Sequence, residues 1–287
     1  MGSDLNVFLI DRGCIMTTLQ AFVLGVVQGL TEFLPVSSSG HLILVPHLLH
    51  WPDQGLAFDA ILHLGTLMAV LLFFRYELFE IVKNSVMMVL KGRWENLNRE
   101  VGVKILIGSI PAAVAGKLLD DFIEAHVRSG ILVAGMLIIF AILLWLADRY
   151  SEQVKQPIKQ IEMLGWKEVL VIGCAQAVAL IPGVSRSGMT ITAGLFSKLD
   201  RELAIRFSFL LSAPITAGAG GLKLLQLLHK GIPTGGISYL VIGFLASMLS
   251  GILAIKILLR LVRSHTFDLF VFYRIGLGIF ILILFLG

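Results

Sequence analysis

The sequence predicts an all-α polytopic membrane protein, with six transmembrane helices plus two re-entrant helix–loop–helix regions in an inverted-topology repeat. Three observations predict it. The 287-residue chain is 57% hydrophobic and 15% charged, with a mean hydropathy of +0.90, whereas soluble domains carry roughly a quarter charged residues. Its charges lie in the gaps between apolar runs, several of which approach the roughly 20 residues that a helix needs to cross a hydrocarbon core of about 30 Å. Two further apolar runs are each interrupted near the middle by a Pro/Ser/Gly cluster, and the two clusters are alike. The same composition excludes disorder, a collagen-like repeat and a coiled coil. A net charge of +4 distributed between apolar runs is no nucleic-acid patch, and Cys14 and Cys174 are too few for a disulfide framework or a cysteine-based zinc site.

Residues 1–15 lack the long apolar core and small-residue cleavage site of a signal peptide and are read as an extension outside the fold. The first repeat, 16–150, opens with the interrupted run 19–49 and continues with spans at 57–79, 105–119 and 131–147, the second of them short and broken by Pro111. The second repeat, 151–287, opens with the interrupted run 169–196 and continues with spans at 207–228, 236–259 and 267–286. The pieces of each interrupted run are too short to cross. Non-helical backbone at membrane depth is tolerated only when buried in protein or lining a wet cavity, so both runs are expected to be re-entrant.

The two runs resemble each other. GVVQGLTEFLPVSSSGHLI (25–43) and GCAQAVALIPGVSRSGMTI (173–191) both carry G-x-x-Q, an apolar stretch, Pro, and V-S-x-S-G. Three spans follow in each half, and an odd number inverts one half relative to the other. Inverted repeats place binding sites near the midplane, where broken helices expose their ends. On this threading one side receives sixteen Lys and Arg, in groups of six, four, three and three, and the other receives five. The positive-inside rule makes the first side cytoplasmic and opens the loop 35–40 to the exterior.

The chemistry concentrates in the two loops. Glu32 lies in a run otherwise free of Asp, Glu, Lys and Arg from Gly13 to Pro52, where an ionised carboxylate is costly. Gln28 lies one turn before it on the same face. The first loop adds Ser37, Ser38, Ser39, Gly40 and His41; the second adds Ser185, Arg186, Ser187, Gly188 and Thr190. A guanidinium binds phosphate oxygens bidentately, and Gly and Ser backbone N–H groups at a helix start cradle an anion. A carboxylate holds a divalent cation, histidine moves a proton near neutral pH, and a serine hydroxyl attacks phosphorus when a base stands beside it. If the repeat brings the loop tips together, Glu32, His41 and Arg186 converge for phosphoryl chemistry on a membrane-embedded substrate. The alternatives are that the serines and glycines pack helices and that Glu32 and Arg186 form only a structural ion pair. His47, His50 and His63 are read as interface or packing residues, and Asp59 as a further polar candidate at the start of a span. Arg274 is read as snorkelling to the cytoplasmic interface, outside the site.

Q-G-L-T-E followed by F-L-P-V-S-S-S-G-H, and later P-G-V-S-R-S-G-M-T, resembles the undecaprenyl-diphosphate phosphatase family, the bacitracin-resistance proteins. The resemblance runs from about Met16 to the end. The family's two signatures fall on residues 28–32 and 182–190, with Gln28 where some members have glutamate. It implies hydrolysis of the C55 isoprenoid diphosphate to its monophosphate and phosphate, recycling the lipid carrier of cell-wall synthesis and giving bacitracin resistance. Carried over by motif, the site comprises Glu32, Ser38, His41, Ser185, Arg186 and Thr190, with a Mg2+ or Ca2+ ion held at Glu32 and Gln28. The implied location is the bacterial inner (plasma) membrane with the site open to the periplasm; a homodimer is left open. Two rivals come from other classes. A phosphatidic-acid-phosphatase-type enzyme shares a similar S-G-H, but needs a histidine soon after Ser185–Arg186, and none appears before His229. A polyprenyl-phosphate flippase would also use inverted repeats with midplane loops.

Overall fold

The computed structural model describes residues 16–92, 100–126, 129–230 and 236–286; the extension 1–15 lies outside the described residues. Regular structure among them is helical, with one isolated bridge, Ile158 to Leu199, as the only β-type pairing. Helix α1 (Thr18–Phe33) starts at a capping box in which Gln20 N–H donates to Thr17 Oγ1 and Thr17 N–H to Gln20 Oε1. It ends where Pro35 cannot continue the helix. α2 (Ser38–Leu48) follows after a turn. The same construction recurs in α7 (Trp166–Val178) and α8 (Arg186–Phe196). These helices have 16, 11, 13 and 11 residues, or about 24, 17, 20 and 17 Å at 1.5 Å per residue, all short of a hydrocarbon core.

Among the described residues, five helices are long and apolar enough to cross, up to six if a bent pair counts as one. They are α5 (Val101–His126), α6 (Gly130–Glu152), α9 (Arg201–Lys230), α10 (Gly236–Leu261) and α11 (Asp268–Leu286). The bent pair corrects the expected span at 57–79: α3 (Gly55–Phe73) stops at Phe74, and α4 (Arg75–Lys91) leaves it at 81°. Arg75, Glu77, Glu80 and Lys83 follow the bend, and carrying them on into hydrocarbon would be costly. Pro111, by contrast, does not end α5, which runs through it. Large apolar side chains such as Leu106, Ile110, Leu249, Leu253 and Phe272 stand exposed along the outside, as a lipid-facing surface requires and a soluble one does not.

The helices pair in a pattern with an internal exchange. α1 packs along α10 and α10 on α3; α7 packs along α5 and α5 on α9; α3 meets α9 and α6 meets α11. Swapping α1 with α7, α3 with α9, α10 with α5, and α11 with α6 reproduces these pairings, while α8 departs from the exchange by packing more closely on α6 and α9 than α2 does on α11 and α3. The close approaches agree. A Cβ on Gly25 would lie 2.6 Å from the Gly243 carbonyl oxygen, and one on Gly173 would strike the Gly108 carbonyl oxygen. Gly25 and Gly173 are the aligned first residues of the two similar segments. At one end of the bundle Asp148 ties three helices together, accepting from Arg201 Nε at 2.6 Å and from the Phe267 N–H at 2.9 Å.

Candidate active site

The C-terminal end of α1 and the starts of α2 and α8 meet inside the bundle. α2 and α8 both begin at a serine in a positive-φ conformation, Ser37 at φ 74 and ψ 96, Ser185 at φ 73 and ψ 113. Non-glycine residues adopt such backbone only where the surroundings enforce it. The local bonding repeats as well: Ser37 and Ser39 hydroxyls are 3.2 Å apart, and those of Ser185 and Ser187 3.4 Å apart. Ser185 Oγ also accepts the Gly188 N–H at 3.2 Å, capping α8. Two contacts stitch loop to loop: Ser187 Oγ donates to the Leu34 carbonyl at 3.2 Å, and the Gly183 N–H points at Ser39 Oγ at 3.5 Å.

Glu32 is the hub. Its carboxylate is buried, with 7% exposure. Oε1 accepts from Arg186 Nη2 at 2.8 Å. Oε2 accepts from Ser38 Oγ at 2.6 Å and from Gln28 Nε2 at 3.1 Å. A group from each half of the chain therefore grips one carboxylate, and Ser38 stands against a base. Thr190 is buried one turn into α8, its hydroxyl 2.5 Å from Ser208 Oγ on α9 and 2.8 Å from the Arg186 carbonyl. Gly40 and Gly188 are buried in the first turns of α2 and α8.

His41 does not join the Glu32 cluster directly. It is buried one turn along α2 from Ser38, with Nδ1 2.7 Å from the Ser37 carbonyl and Nε2 2.7 Å from the Tyr273 hydroxyl. A carbonyl can only accept, so Nδ1 carries the proton, and Nε2 of the neutral ring accepts from Tyr273. The two rings stack, with centroids 5.7 Å apart and planes within 5°.

Four residues near the site were missed or misassigned from sequence. Tyr273 orients His41, and Ser208 bonds Thr190. His63, expected to be a packing residue, places Nε2 3.8 Å from Glu32 Oε2, its Nδ1 bonded to the Asp59 carbonyl at 2.8 Å. Arg274 corrects the snorkelling expectation outright: it has 0% exposure. Its guanidinium donates to the carbonyls of Pro35 (3.4 Å), Gly183 (3.1 Å) and Val184 (2.9 Å), which form the two loop turns, and to Leu137 (3.3 Å) on α6. A Cβ on Gly188 would lie 2.7 Å from Arg274 Nη1, so that glycine leaves the guanidinium its room. The signal was present in the sequence, since a lone charge within an apolar span is costly wherever it does not reach water.

The loop turns thus hold two guanidiniums, Arg186 on the Glu32 carboxylate and Arg274 on backbone carbonyls, against one carboxylate, a net positive interior suited to an anionic ligand. Among the described residues, no three His, Cys, Asp or Glu side chains gather as a metal cage. What the site offers a hard cation is oxygen: the Glu32 carboxylate, the Ser38 hydroxyl, and Gln28 Oε1, which is buried and bonded to nothing. That set fits an ion completed by substrate phosphate oxygens, the usual habit of Mg2+, rather than one held by protein alone.

The model of the family described as bacitracin resistance protein BacA matches residues 21–280 of this chain. Undecaprenyl-diphosphatase 2 of Stutzerimonas stutzeri is 46% identical over 272 residues, covering 95% of this chain and 100% of its own length. Undecaprenyl-diphosphatase of Geobacter metallireducens is 46% identical over 271 residues, covering 93% and 99%. That of Thermomicrobium roseum is 43% identical over 276 residues, covering 93% and 98%.

Proposed function

Since the chain belongs to the bacitracin resistance protein BacA family, we propose that it hydrolyses undecaprenyl diphosphate to undecaprenyl phosphate and inorganic phosphate. The activity recycles the carrier lipid of cell-wall synthesis and removes the diphosphate form on which bacitracin acts. One observation carries the mechanism: a single buried carboxylate, Glu32, held by Ser38 of one loop at 2.6 Å and Arg186 of the other at 2.8 Å.

Arg186 and the N–H groups at the starts of α2 and α8 hold the diphosphate, where directed donors stabilise charge growing on the equatorial oxygens. Ser38 Oγ attacks the terminal phosphorus while its proton passes to Glu32. The bond from phosphorus to the bridging oxygen breaks, and the lipid monophosphate leaves with the electron pair. Water then attacks the phosphoserine, its proton passing to the Tyr273 hydroxyl as that hydroxyl gives its own to His41 Nε2, and Glu32 returns a proton to Ser38 Oγ as the ester bond opens. His41 is suited to this because its Nδ1–H is anchored on the Ser37 carbonyl, which leaves Nε2 as the accepting atom. A Mg2+ or Ca2+ ion would be held by Glu32 and Gln28 and would offset phosphate charge when bound. Ser37, Ser39, Ser185, Ser187, Gly40, Gly188 and Thr190 shape the anion cradle and fix the loops.

The halves 16–150 and 151–287 form an inverted-topology repeat, α1–α2 and α7–α8 being its re-entrant elements. This reading rests on the matched positive-φ serines, the matched glycine approaches and the exchange symmetry of the helix pairs. The sixteen-to-five division of Lys and Arg supports an inner-membrane protein whose site opens to the periplasm.

Phosphate release by purified protein in detergent, on the C55 diphosphate and on farnesyl diphosphate, with and without chelator, tests the activity. A flippase would release nothing, and a metal-independent enzyme would ignore the chelator.

A further inference from the structure

The end of the bundle richest in Lys and Arg carries a cavity of about 450 Å³ that the phosphatase chemistry does not use. It lies between the end of α3, the start of α9 and the last turns of α10. Four cations line it, Arg206, Lys256, Arg260 and Arg263, against two acids, Glu77 and Glu202. Both acids are already engaged. Arg206 Nη2 donates to Glu77 Oε2 at 2.7 Å, and Arg263 grips Glu202 through Nε and Nη2, each at 3.2 Å. Lys256 and Arg260 sit one turn apart on α10, and neither has a hydrogen-bond or ion-pair partner among the described residues. Like charges at that spacing repel each other, and an anion between them reverses the sign of the interaction.

One side of the cavity is apolar. Phe73, Phe74 and Leu259 line it, and exposed Leu253 and Ile257 continue up α10 along the lipid-facing surface. A ligand that satisfies both features carries a phosphate at one end and hydrocarbon at the other. We propose that this cavity binds the headgroup of an anionic membrane phospholipid, with Arg260 forking onto the phosphate, Lys256 as a point charge beside it, and an acyl chain along Leu253 and Ile257. Basic clefts between transmembrane helices near the membrane surface suit such headgroups, and the guanidinium fork matches phosphate geometry.

The test is lipid titration of the full-length protein in detergent, followed by thermal melting and by native mass spectrometry of bound lipid. Phosphatidylglycerol, phosphatidylcholine and inorganic phosphate are the three probes. Wild-type protein and a same-end charge control, Lys83→Gln with Lys91→Gln, should bind and be stabilised by phosphatidylglycerol alone. The Lys256→Gln and Arg260→Gln double variant should bind it roughly tenfold or more weakly, since each surface-proximal cation contributes several-fold. Should the double variant fold poorly, single Arg260→Gln is measured the same way and should show a several-fold loss. Equal weakening in the Lys83/Lys91 control would reduce the effect to general surface charge and overturn the site. Equal stabilisation by phosphatidylcholine, or by inorganic phosphate, would overturn the headgroup assignment. None of these readouts involves turnover, so failure here leaves the phosphatase reading untouched.

Discussion

Replacing Arg274 with methionine keeps most of the side-chain length and removes every donor. Of its four acceptors, the Leu137 carbonyl lies in the middle of α6 and keeps its helical partner. The carbonyls of Pro35, Gly183 and Val184 accept no other hydrogen bond from the described residues. Three buried carbonyls would be orphaned, each costing about 1–3 kcal/mol. Water entering the emptied volume would recover part of that, leaving a net loss of roughly 3–5 kcal/mol, at the upper end for a single substitution. Because Pro35 belongs to one loop and Gly183 and Val184 to the other, the loss falls on the contact that brings Ser38 and Arg186 to the same carboxylate. Arg274→Met should therefore lose stability and turnover together, whereas Arg274→Lys, with one cationic donor group in place of a fork, should fall between. The assay pairs thermal melting in detergent with phosphate release. On the scale of large globular domains, the methionine variant should melt roughly 6–20 °C lower. An unchanged melting point with full turnover would refute the idea that this guanidinium clamps the loops. An unchanged melting point with lost turnover would make Arg274 a direct phosphate ligand instead.

Glu32→Gln should abolish most phosphate release while leaving the amide able to accept from Arg186, because it removes both the base beside Ser38 and the charge that attracts a cation; near-normal turnover with unchanged chelator sensitivity would sink both roles. Arg186→Lys should fold normally and lose at least about tenfold in turnover, equivalent to 1.4 kcal/mol, and wild-type turnover would show that the fork is not used. Gly25→Ala and Gly173→Ala should each destabilise the protein by roughly 1–3 kcal/mol in melting experiments, since both push a methyl group into a facing glycine backbone; tolerance of either would mean the helices can separate there freely. A cysteine at Asp53 should react with an impermeant thiol reagent in intact cells and one at Lys83 should not, in a background with Cys14 and Cys174 replaced; the reverse pattern would invert the assigned topology.

The helical architecture was legible because hydrocarbon imposes simple rules. Span length, charge-free runs and the two Pro/Ser/Gly breaks marked most of the helices, and the cost of an isolated charge marked Glu32 and Arg186 as partners across the halves. Local rules failed where tertiary structure supplied the solvent. Arg274 is the eighth residue of its span in the reading by length, which suggested snorkelling; the fold instead brings carbonyls to it, and no spacing in its own helix announces that. The bend at Phe74 was hidden because Leu78 and Phe79 carry the apolar run past Arg75. His63 reaches Glu32 only because α3 packs beside α1, a fact of packing with no local signature.

The aligned segments also divide the site's residues by kind of work. Gly25 and Gly173, Gln28 and Gln176, Ser37 and Ser185, and Gly40 and Gly188 are identical pairs, and the two serines share one backbone conformation. Positions that match in both residue and geometry are explained by what both loops must do, which is to turn tightly inside a bundle and start a helix. Among the polar residues named in the site, the positions that differ are Glu32 against Leu180, Ser38 against Arg186, His41 against Met189, and Leu42 against Thr190. These are the groups gathered at the carboxylate or one turn from it. A symmetric pair of loops bearing identical chemistry would build two equivalent sites; this pair supplies acid, hydroxyl and imidazole from one side and the guanidinium from the other, so neither loop has a complete site alone. Phosphoryl transfer has the same division, with a nucleophile and its base on one side and an anion-binding clamp on the other. On the proposed mechanism, the repeat supplies the geometry and its departures from symmetry supply the chemistry.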